Sequence, residues 1–312
     1  MRVLVTGGAG FIGSHVTDAF LARGDQVAVV DDFSRGQAGR LDSRVTVHKL
    51  SITDAPSLTA VVQAGRPGLI CHLAAQIDVR ASVADPAGDA QANVVGTINV
   101  LEAARAAGAR VVFASSGGAR YGRDAAIPSP EDALARPESP YGIAKQCAEH
   151  YIGLYNRLHG TRHSVLRLAN VYGPRQDPAG EAGVIAVFCA RVLAGKPPLI
   201  YGDGTQTRDY VYVGDVVRAF AAAADSSQPG TWNVGTGTET TVLDLIDVIG
   251  SCAGRAVAPE FAAARPGELL RSAVASGLAA EDLGWRPRTA LADGVRNVYR
   301  WIAEGSPVQA AS

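Results

Sequence analysis

Tyr141 and Lys145 stand four positions apart at the start of a segment with helical spacing. Residues four apart on a helix share one face, so the phenol and the ammonium group lie side by side. A neighbouring ammonium favours the phenolate and lowers the pKa of the phenol from about 10 toward neutrality. The pair therefore predicts a catalytic acid and base, although Tyr-x-x-x-Lys alone often occurs by chance.

A second candidate site is the glycine-rich turn at residues 7–13. Gly7, Gly10 and Gly13 follow an apolar strand and precede an apolar helix. Gly7 permits the tight turn, Gly10 lets a pyrophosphate approach the main chain, and Gly13 allows the helix to pack closely. The helix N-terminus adds free N–H groups and a partial positive charge. The turn predicts a dinucleotide-binding site.

Asp31 indicates which dinucleotide binds there. It ends the next predicted strand, roughly 20 residues after the turn, where a carboxylate can accept hydrogen bonds from both ribose hydroxyls. The same carboxylate repels a 2′-phosphate, which favours NAD over NADP. Arg35 lies close enough in the sequence to keep NADP as an alternative.

Alternating strands and helices must position these residues. Short apolar runs predict strands at residues 3–6, 27–31, 45–50, 69–73, 111–115 and 164–168. Helical spacing recurs between them, at residues 15–23, 57–63, 89–107 and 141–159. Continuous apolar strands that alternate with helices indicate a parallel sheet covered on both faces. We therefore expect the α/β class with a doubly wound, Rossmann-type parallel sheet.

The regular alternation stops near residue 170. Further helices are predicted near residues 182–194, 215–224, 242–253 and 291–304. We expect an NAD-binding domain at residues 1–168 and a smaller mixed α/β substrate domain at residues 169–304, some of whose segments return to the sheet. A frayed tail is expected at residues 305–312.

Composition and charge narrow the class of partner. The chain of 312 residues has 29 Lys and Arg against 30 Asp and Glu, so no positive field gathers nucleic acid or anionic lipid. The 4 cysteines form no CxxC pair, which predicts reduced thiols rather than zinc or disulfides. No uncharged apolar run reaches the ~18 residues of a membrane span, and no signal peptide is expected. We expect a cytoplasmic protein with a small-molecule partner.

Several motifs follow one another along nearly the whole chain. They are VTGGAGFIGS from Val5, HLAA from His72, NVVGT from Asn93, SS at 115–116 with YG at 121–122, the Tyr141/Lys145 pair, NVYGPR from Asn170, GDG from Gly202, RDY from Arg208 and RPGE from Arg265. In this set the chain resembles the extended short-chain dehydrogenase/reductase superfamily, and within it most closely the UDP-glucose 4-epimerases.

The resemblance implies that NAD is the cofactor and that the first half holds it. Tyr141 is then the acid and base that takes the proton of the sugar 4-hydroxyl. Lys145 binds the nicotinamide ribose and tunes Tyr141. The other residues implied around NAD are the glycines of the turn and Phe11, Ile12, Asp31, Asp32, Phe33, Ser34, Arg35, Gly36, Ser51, Ile52, Leu73, Ala74, Ala75, Gln76 and Asn93.

The resemblance also implies a nucleotide-sugar site. Arg208 and Arg265 are expected to clamp the diphosphate, because a guanidinium is planar and always charged. The other implied contacts are Asn170 at the diphosphate, Val184, Leu199 and Tyr201 at the uracil, Ser116 at the sugar oxygen and Ser272 beside the sugar 2-substituent.

The sequence departs from the family pattern at residues 115–118, in the loop that carries the catalytic hydroxyl in many relatives. Gly117 stands where many relatives carry a catalytic Ser or Thr, so the hydroxyl comes from Ser116 or Ser115. We favour Ser116, and a water molecule acting with Tyr141 stays an alternative. Gly117 and Gly118 also replace the Asp-Glu pair of the sugar dehydratases, which disfavours dehydration.

Two further departures concern the ligands. Ser51 replaces an Asp that meets the adenine amino group in relatives, and a serine can still accept that hydrogen bond. Ser272 is small at a position that limits the sugar 2-substituent in the family, so it should leave room for an N-acetyl group.

We therefore expect an NAD-dependent epimerase that inverts C4 of a UDP-hexose, UDP-glucose or UDP-galactose, through a 4-keto sugar and without a metal. The alternatives are epimerisation of UDP-N-acetylglucosamine or UDP-glucuronate, a nucleotide-sugar reductase or dehydratase, and a non-catalytic NAD-binding sensor. Apolar outer positions on the predicted helices 89–107 and 141–159 resemble the dimer contact of the family, so a homodimer is expected.

Overall fold

Strands and helices alternate through the first half of the chain. The computed structural model describes residues 1–178, 183–265 and 269–305. The strands are β1 (Arg2–Thr6), β2 (Gln26–Asp31), β3 (Thr46–Lys49), β4 (Leu69–His72), β5 (Arg110–Ser116), β6 (Ser164–Leu168), β7 (Asn170–Tyr172), β8 (Leu199–Tyr201), β9 (Thr207–Arg208), β10 (Tyr210–Tyr212), β11 (Thr231–Val234), β12 (Thr240–Thr241) and β13 (Glu260–Ala262).

Most helices lie within a few residues of their predicted bounds. The helices are α1 (Phe11–Ala22), α2 (Ala55–Gly65), α3 (Val79–Ala84), α4 (Pro86–Ala90), α5 (Gly96–Ala107), α6 (Pro140–His159), α7 (Val184–Leu193), α8 (Val213–Asp225), α9 (Val242–Ala253), α10 (Gly277–Leu283) and α11 (Leu291–Ala303). The single helix predicted at residues 89–107 is divided, because a π-helical stretch at Gln91–Val95 separates α4 from α5.

The central sheet is parallel and has the strand order β3-β2-β1-β4-β5-β6-β11. The chain passes from β3 at one edge back to β4 beside β1, so the winding direction changes between these two neighbours. Doubly wound sheets bind ligands outside the carboxyl ends of the strands at such a point. The predicted fold class is confirmed. Sequence patterns miss β11, whose Trp232 and Asn233 interrupt the expected aliphatic run.

Side chains of each strand alternate between two core layers, one on each face of the sheet. Val3 and Val5 of β1 pack in one layer with Phe220 of α8, together with side chains of α1. Leu4 points to the opposite layer, where it packs with Leu101 of α5, together with side chains of α2 and α6. Helices therefore cover both faces, as a buried parallel sheet requires.

The second part of the chain has short strand pairs instead of a large sheet. In the described residues β7 pairs with β10, β8 with β13 and β9 with β12. A third core joins α7, α9 and α11 around Ile185, Leu245 and Val298. We keep the domain boundary at residue 168 as a proposal, with α8, β11 and α10 as the segments that return to the sheet.

Some predictions fall outside the described residues. These are residue 182 at the start of a predicted helix, the segment 266–268 of the last motif, and residues 306–312 of the expected tail. In the described part of the chain, no helix combines the length and the apolar character that a membrane span needs.

Candidate active site

A cavity of about 670 Å³ runs along the carboxyl edge of the sheet, from the glycine-rich turn to the start of α6. The predicted cofactor residues line it, except for Phe33 and Asn93. The predicted substrate residues Ser116, Asn170 and Val184 line it as well. The structure therefore brings the predicted dinucleotide site and the predicted acid and base into one cavity.

The glycine-rich turn has the backbone geometry that the sequence predicts. Gly7 adopts a φ of 69°, in the left-handed region that favours glycine. A Cβ atom on Gly7 would lie 2.6 Å from the main-chain nitrogen of Ala74. A Cβ atom on Gly13 would overlap the carbonyl oxygen of Gly7, so α1 approaches the turn closely only because this position is glycine. The free N–H groups at the start of α1 lie beside the cavity.

Asp31 lies at the carboxyl end of β2 and is held by two main-chain groups. Its Oδ2 accepts a hydrogen bond from the N–H of Ala9, and its Oδ1 accepts one from the N–H of Phe33, each at 2.9 Å. Burial raises the pKa of Asp31, and these two hydrogen bonds oppose the increase. Each oxygen keeps a second lone pair for a ribose hydroxyl. Phe33, at a φ of 60°, acts here through its main chain.

The adenosine end of the cavity also contains two polar residues that sequence reasoning missed. Arg40 lines the cavity, and its Nη1 donates to the carbonyl of Ala9 at 3.5 Å. No motif marks the 3₁₀ turn Ala38–Arg40 in the sequence. Thr53 also lines the cavity, and its Oγ1 lies 2.9 Å from Oγ of the predicted residue Ser51. These two hydroxyls therefore hold each other at the wall.

Asn93 fixes the loop of Gln76 from behind the cavity wall. Its Oδ1 accepts from the main-chain N–H of Gln76 and its Nδ2 donates to the Gln76 carbonyl, both at 2.9 Å. Asn93 is only 2% exposed, so it positions the loop rather than forming the wall. Asp89, which sequence reasoning missed, accepts hydrogen bonds from both side chains through Oδ1. The π-helical stretch places Asn93 between α4 and α5.

Tyr141 and Lys145 lie on the first turns of α6, which begins with Ser139 as its N-cap. Lys145 Nζ donates to the carbonyl of Ala114 at 3.0 Å and lies 5.8 Å from the centroid of the Tyr141 ring. Burial lowers the pKa of Lys145 to about 8. The pair is therefore brought together as its spacing predicts.

The expected lowering of the Tyr141 pKa is wrong for this arrangement. Burial raises the pKa of Tyr141 to about 12, because the loss of hydration of the phenolate outweighs the interactions that stabilise it in the protein. A hydrogen bond with the Ser116 side chain opposes the increase. The Ser116 side chain is therefore the neighbour that favours the phenolate, whereas the charge of Asp89 adds to the increase.

The two serines at the end of β5 have different partners. Ser115 Oγ donates to Glu149 Oε1 at 2.5 Å, and Glu149 is paired with Arg167 at 2.8 Å in the same buried network. Ser116 Oγ instead accepts a hydrogen bond from the N–H of Ala119 at 3.2 Å, and Ser116 lines the cavity together with Tyr141, whose pKa its side chain lowers. This geometry favours Ser116 over Ser115 as the hydroxyl beside Tyr141.

Other predicted substrate residues lie away from the wall of this cavity. The guanidinium carbon of Arg265 lies 3.7 Å from the ring centroid of Tyr201, so these two predicted residues stack on each other. Arg208 donates through Nη1 to the carbonyl of Thr207. The residues outside the described lining are Leu199, Tyr201, Arg208, Arg265 and Ser272. Their contacts with substrate stay predictions.

Ser272 nevertheless lies close to the predicted sugar contacts. A Cβ atom built on Gly118 would lie 3.5 Å from Oδ1 of Asn170 and 3.9 Å from Oγ of Ser272. Gly118 therefore lies beside the side chains of Asn170 and Ser272. Sequence reasoning missed Gln176 and Tyr210, which line the cavity. Gln176 directly follows the NVYGPR motif, so extending that motif by one residue would have identified it.

Comparisons with known proteins agree along the chain. A family model described as the NAD dependent epimerase/dehydratase family matches residues 3–235. A UDP-glucose 4-epimerase of Mycolicibacterium smegmatis is 48% identical over 98% of this chain and 100% of its own length.

Solved structures are similar over the same extent. The crystal structure of a UDP-glucose 4-epimerase with UDP-glucose from Thermotoga maritima has a TM-score of 0.95 and 42% identity, covering 97% of this chain and 99% of that chain. A UDP-glucose 4-epimerase of Thermus thermophilus in complex with NAD has a TM-score of 0.91 and 42% identity, covering 98% and 100%.

Proposed function

Because this chain belongs to the NAD dependent epimerase/dehydratase family, we propose that it inverts C4 of a UDP-hexose and interconverts UDP-glucose and UDP-galactose. The resemblance to the extended short-chain dehydrogenase/reductase superfamily is confirmed. The observation that carries the proposal is that Tyr141, Lys145 and Ser116 line the same cavity as the dinucleotide turn and Asp31. The names of relatives at 48% and 42% identity support the same reaction.

NAD, the cofactor of this family, fits the residues along the wall. The main chain at Gly7 and Gly10, with the start of α1, would hold the pyrophosphate, because Gly10 has no side chain to cover these N–H groups. Asp31 would accept the ribose hydroxyls of the adenosine end. When bound, NAD accepts a hydride from C4 of the sugar and returns it to the same carbon.

Tyr141 would move the proton that accompanies this hydride. Its phenolate oxygen takes the proton of the 4-hydroxyl as the C4–H bond breaks, and a 4-keto sugar forms. The same oxygen gives the proton back to O4 when C4 is reduced on its other face. Ser116 supports the phenolate by its hydrogen bond, and Lys145 does so by its charge beside the ring.

A second candidate substrate is the 2-acetamido form of the same UDP-hexose. Ser272 is small, Gly118 has no side chain, and a Cβ atom on Gly118 would still lie 3.5 Å from its nearest neighbour, Oδ1 of Asn170. The family pattern places the sugar 2-substituent beside residue 272, where a small serine is the neighbour. We therefore expect UDP-N-acetylglucosamine to be accepted. A Ser272→Tyr variant should lose that substrate and keep UDP-galactose.

The test is to incubate the purified protein with UDP-galactose and to identify the sugar products. The proposal expects UDP-glucose at an equilibrium that is also reached from UDP-glucose. A 4-keto-6-deoxy product would indicate a dehydratase, and turnover of another UDP-sugar alone would indicate a different epimerase. The absence of UDP-glucose in either case would contradict the proposal.

We also propose a homodimer formed through α6 and the predicted helix at residues 89–107, where Val95 is exposed. Ile143 and Leu158 of α6 are 57% and 65% exposed, and Val79 and Val83 of α3 are exposed as well. Apolar side chains on one helix surface favour burial against a second copy. Sedimentation of the wild type and of a Leu158→Lys variant tests this, since the charge should shift the protein toward monomer.

A cytoplasmic location stays a proposal. It is supported by the four free cysteines, of which Cys71 and Cys189 are buried. Reduced, buried thiols are typical of the cytoplasm. Fractionation of cells that produce the chain would test it.

A further inference from the structure

His72, the last residue of β4, makes a hydrogen bond on each nitrogen of its imidazole ring. Its Nδ1 lies 2.7 Å from Oγ1 of Thr6, the last residue of β1. Its Nε2 lies 3.0 Å from Oγ1 of Thr97 in α5. All three residues are at most 2% exposed, and His72 lies outside the described cavity lining. The ring therefore joins two strand ends and a helix in a place shielded from water.

The neighbours of the two threonines decide which ring nitrogen carries the proton. Thr97 Oγ1 donates its own proton to the carbonyl of Asn93 at 2.7 Å. It can then only accept from His72, so Nε2 carries a hydrogen. Thr6 Oγ1 accepts from the N–H of Ala74 at 3.3 Å, and its own proton is satisfied when Nδ1 accepts it. These bonds together define a neutral imidazole with its hydrogen on Nε2.

The surroundings of His72 also favour the neutral ring. The ring centroids of His72 and Phe113 lie 5.3 Å apart, and Nζ of Lys145 lies 4.7 Å from the centroid of Phe113. A charged imidazole would add a second buried cation near Lys145. Burial, and to a smaller extent the charge of Lys145, lower the pKa of His72 to about 3. The ring is therefore suited to a fixed chain of hydrogen bonds rather than to proton transfer.

Both ends of this hydrogen-bond chain reach the wall of the cavity. At one end Ala74 lines the cavity, and a Cβ atom on Gly7 would lie 2.6 Å from its main-chain nitrogen. At the other end Asn93, in the π-helical stretch, holds the main-chain N–H and carbonyl of Gln76, which also lines the cavity. The chain through His72 thus joins the two ends of the wall segment 74–76.

We propose that His72 is a positioning residue for NAD: as a neutral Nε2–H imidazole, it holds the wall segment 74–76 against the dinucleotide turn. It acts through Thr6 at one end and through Thr97 and Asn93 at the other. The inference rests on the proposed function only in taking NAD as the ligand of this cavity. It is independent of which sugar the protein converts.

The first experiment observes the tautomer directly. Histidine labelled with nitrogen-15 is incorporated into the protein, and the ring nitrogens are observed by NMR at pH 7. The His72 signals, assigned by their absence from a His72→Gln variant, should show a proton on Nε2 and none on Nδ1. A proton on Nδ1, or on both nitrogens, would overturn the proposal.

The second experiment separates positioning from stability. Thr6→Val and Thr97→Val each remove one hydroxyl at nearly constant volume. Each should speed the exchange of bound NAD with radiolabelled NAD by about three- to ten-fold, which corresponds to one net hydrogen bond. The double variant should exchange no faster than the faster single variant, because either change breaks the same chain. Thr17→Val is the control, since Thr17 is 0% exposed and its Oγ1 has no hydrogen-bond partner among the described residues.

The outcomes distinguish the proposal from its alternatives. A lower Tm in the Thr6 and Thr97 variants with NAD exchange at the wild-type rate would show a purely structural chain, and would overturn the proposal. Additive acceleration in the double variant would show two independent bonds, and would overturn it as well. A wild-type protein that neither carries nor binds NAD would instead contradict the proposed function, while the nitrogen-15 signals would still report the tautomer.

Discussion

The two halves of the candidate site rely on different parts of the residues: main-chain groups in one half and side chains in the other. In the first 168 residues the cavity wall relies on main chain, as the turn at Gly7 and the N–H groups that hold Asp31 show. In the remainder, the predicted contacts are side chains, such as Arg265, which stacks on Tyr201 of β8. A main-chain site is fixed when the sheet folds, whereas a side-chain site keeps rotamer freedom until a ligand binds.

Tyr141 lies where the two halves meet, and its loss should have the largest effect. Tyr141→Phe removes the proton-transferring oxygen, so kcat on UDP-galactose should fall about 10²- to 10⁴-fold. The NAD content of the purified protein should not change, because the main-chain site is intact. Tyr151→Phe, a phenol on the same helix outside the described cavity lining, is the control. Activity of the Tyr141 variant near the wild-type level would show that another group is the base.

Gly13→Ala tests whether the cofactor half depends on close main-chain approach. The new methyl group would overlap the Gly7 carbonyl, so the variant should lose about 1–3 kcal/mol of stability and most of its bound NAD. Chemical unfolding and the nucleotide released on denaturation measure both effects. Gly39→Ala is the matched control, since its Cβ would meet no atom within 4 Å. If the Gly13 variant kept its full NAD content, the cofactor half would not depend on close main-chain approach, and the proposed difference between the two halves would be wrong.

Arg265→Ala tests the side-chain character of the substrate half. Loss of charge-assisted hydrogen bonds to the diphosphate should raise KM for UDP-galactose about 10- to 100-fold, with a smaller change in kcat and in Tm. Arg286→Ala, an exposed arginine in the same half, should leave KM unchanged. An unchanged KM in the Arg265 variant would mean that Arg265 only stacks on Tyr201.

The smallest predicted effect is a difference in acid sensitivity. All 6 histidines precede residue 169. Burial lowers the pKa of His72 to about 3 and that of His163 to about 4. The unfolded chain therefore binds these protons first, and stability falls as the pH drops below the unfolded value near 6.5 toward 4.

At pH 5.5 each of these histidines should cost about 1 kcal/mol relative to pH 7. Protection factors, which correct exchange for its intrinsic dependence on pH, should fall in β4, β5 and β6 before they fall in α9 and α11. An earlier loss of protection in α9 or α11 would contradict the conclusion that the buried histidines cause the acid sensitivity. The control is the same experiment between pH 7 and pH 8, where the histidines are mostly neutral in the folded and in the unfolded chain.

The cofactor half could be predicted because its signals are backbone requirements. The spacing of the glycines predicted the turn, and the apolar strand before them predicted the sheet. Asp31 predicted where the adenosine end of the cavity lies. Two predicted residues there act differently: Phe33 holds Asp31 through its main chain, and Asn93 holds Gln76 from behind. Spacing identifies a position and cannot distinguish a wall residue from its support.

The substrate half could not be predicted to the same depth. Strand β11 lies in the central sheet, although it comes after the predicted domain boundary. The sequence did not predict this strand, because Trp232 and Asn233 interrupt the aliphatic pattern of a buried strand. At Tyr141, where the two halves meet, the pKa rises although the sequence predicted a decrease, because burial raises it and burial is not visible in spacing. The stacking of Arg265 on Tyr201 joins residues far apart in sequence, so only the fold reveals it.

The most direct test of the account follows a hydride. UDP-galactose that carries deuterium at C4 is incubated with the purified protein in the presence of excess unlabelled NADH. A tightly bound NAD that returns the hydride it took predicts UDP-glucose with deuterium retained at C4. Loss of the label to the added cofactor, or no UDP-glucose at all, would contradict the account.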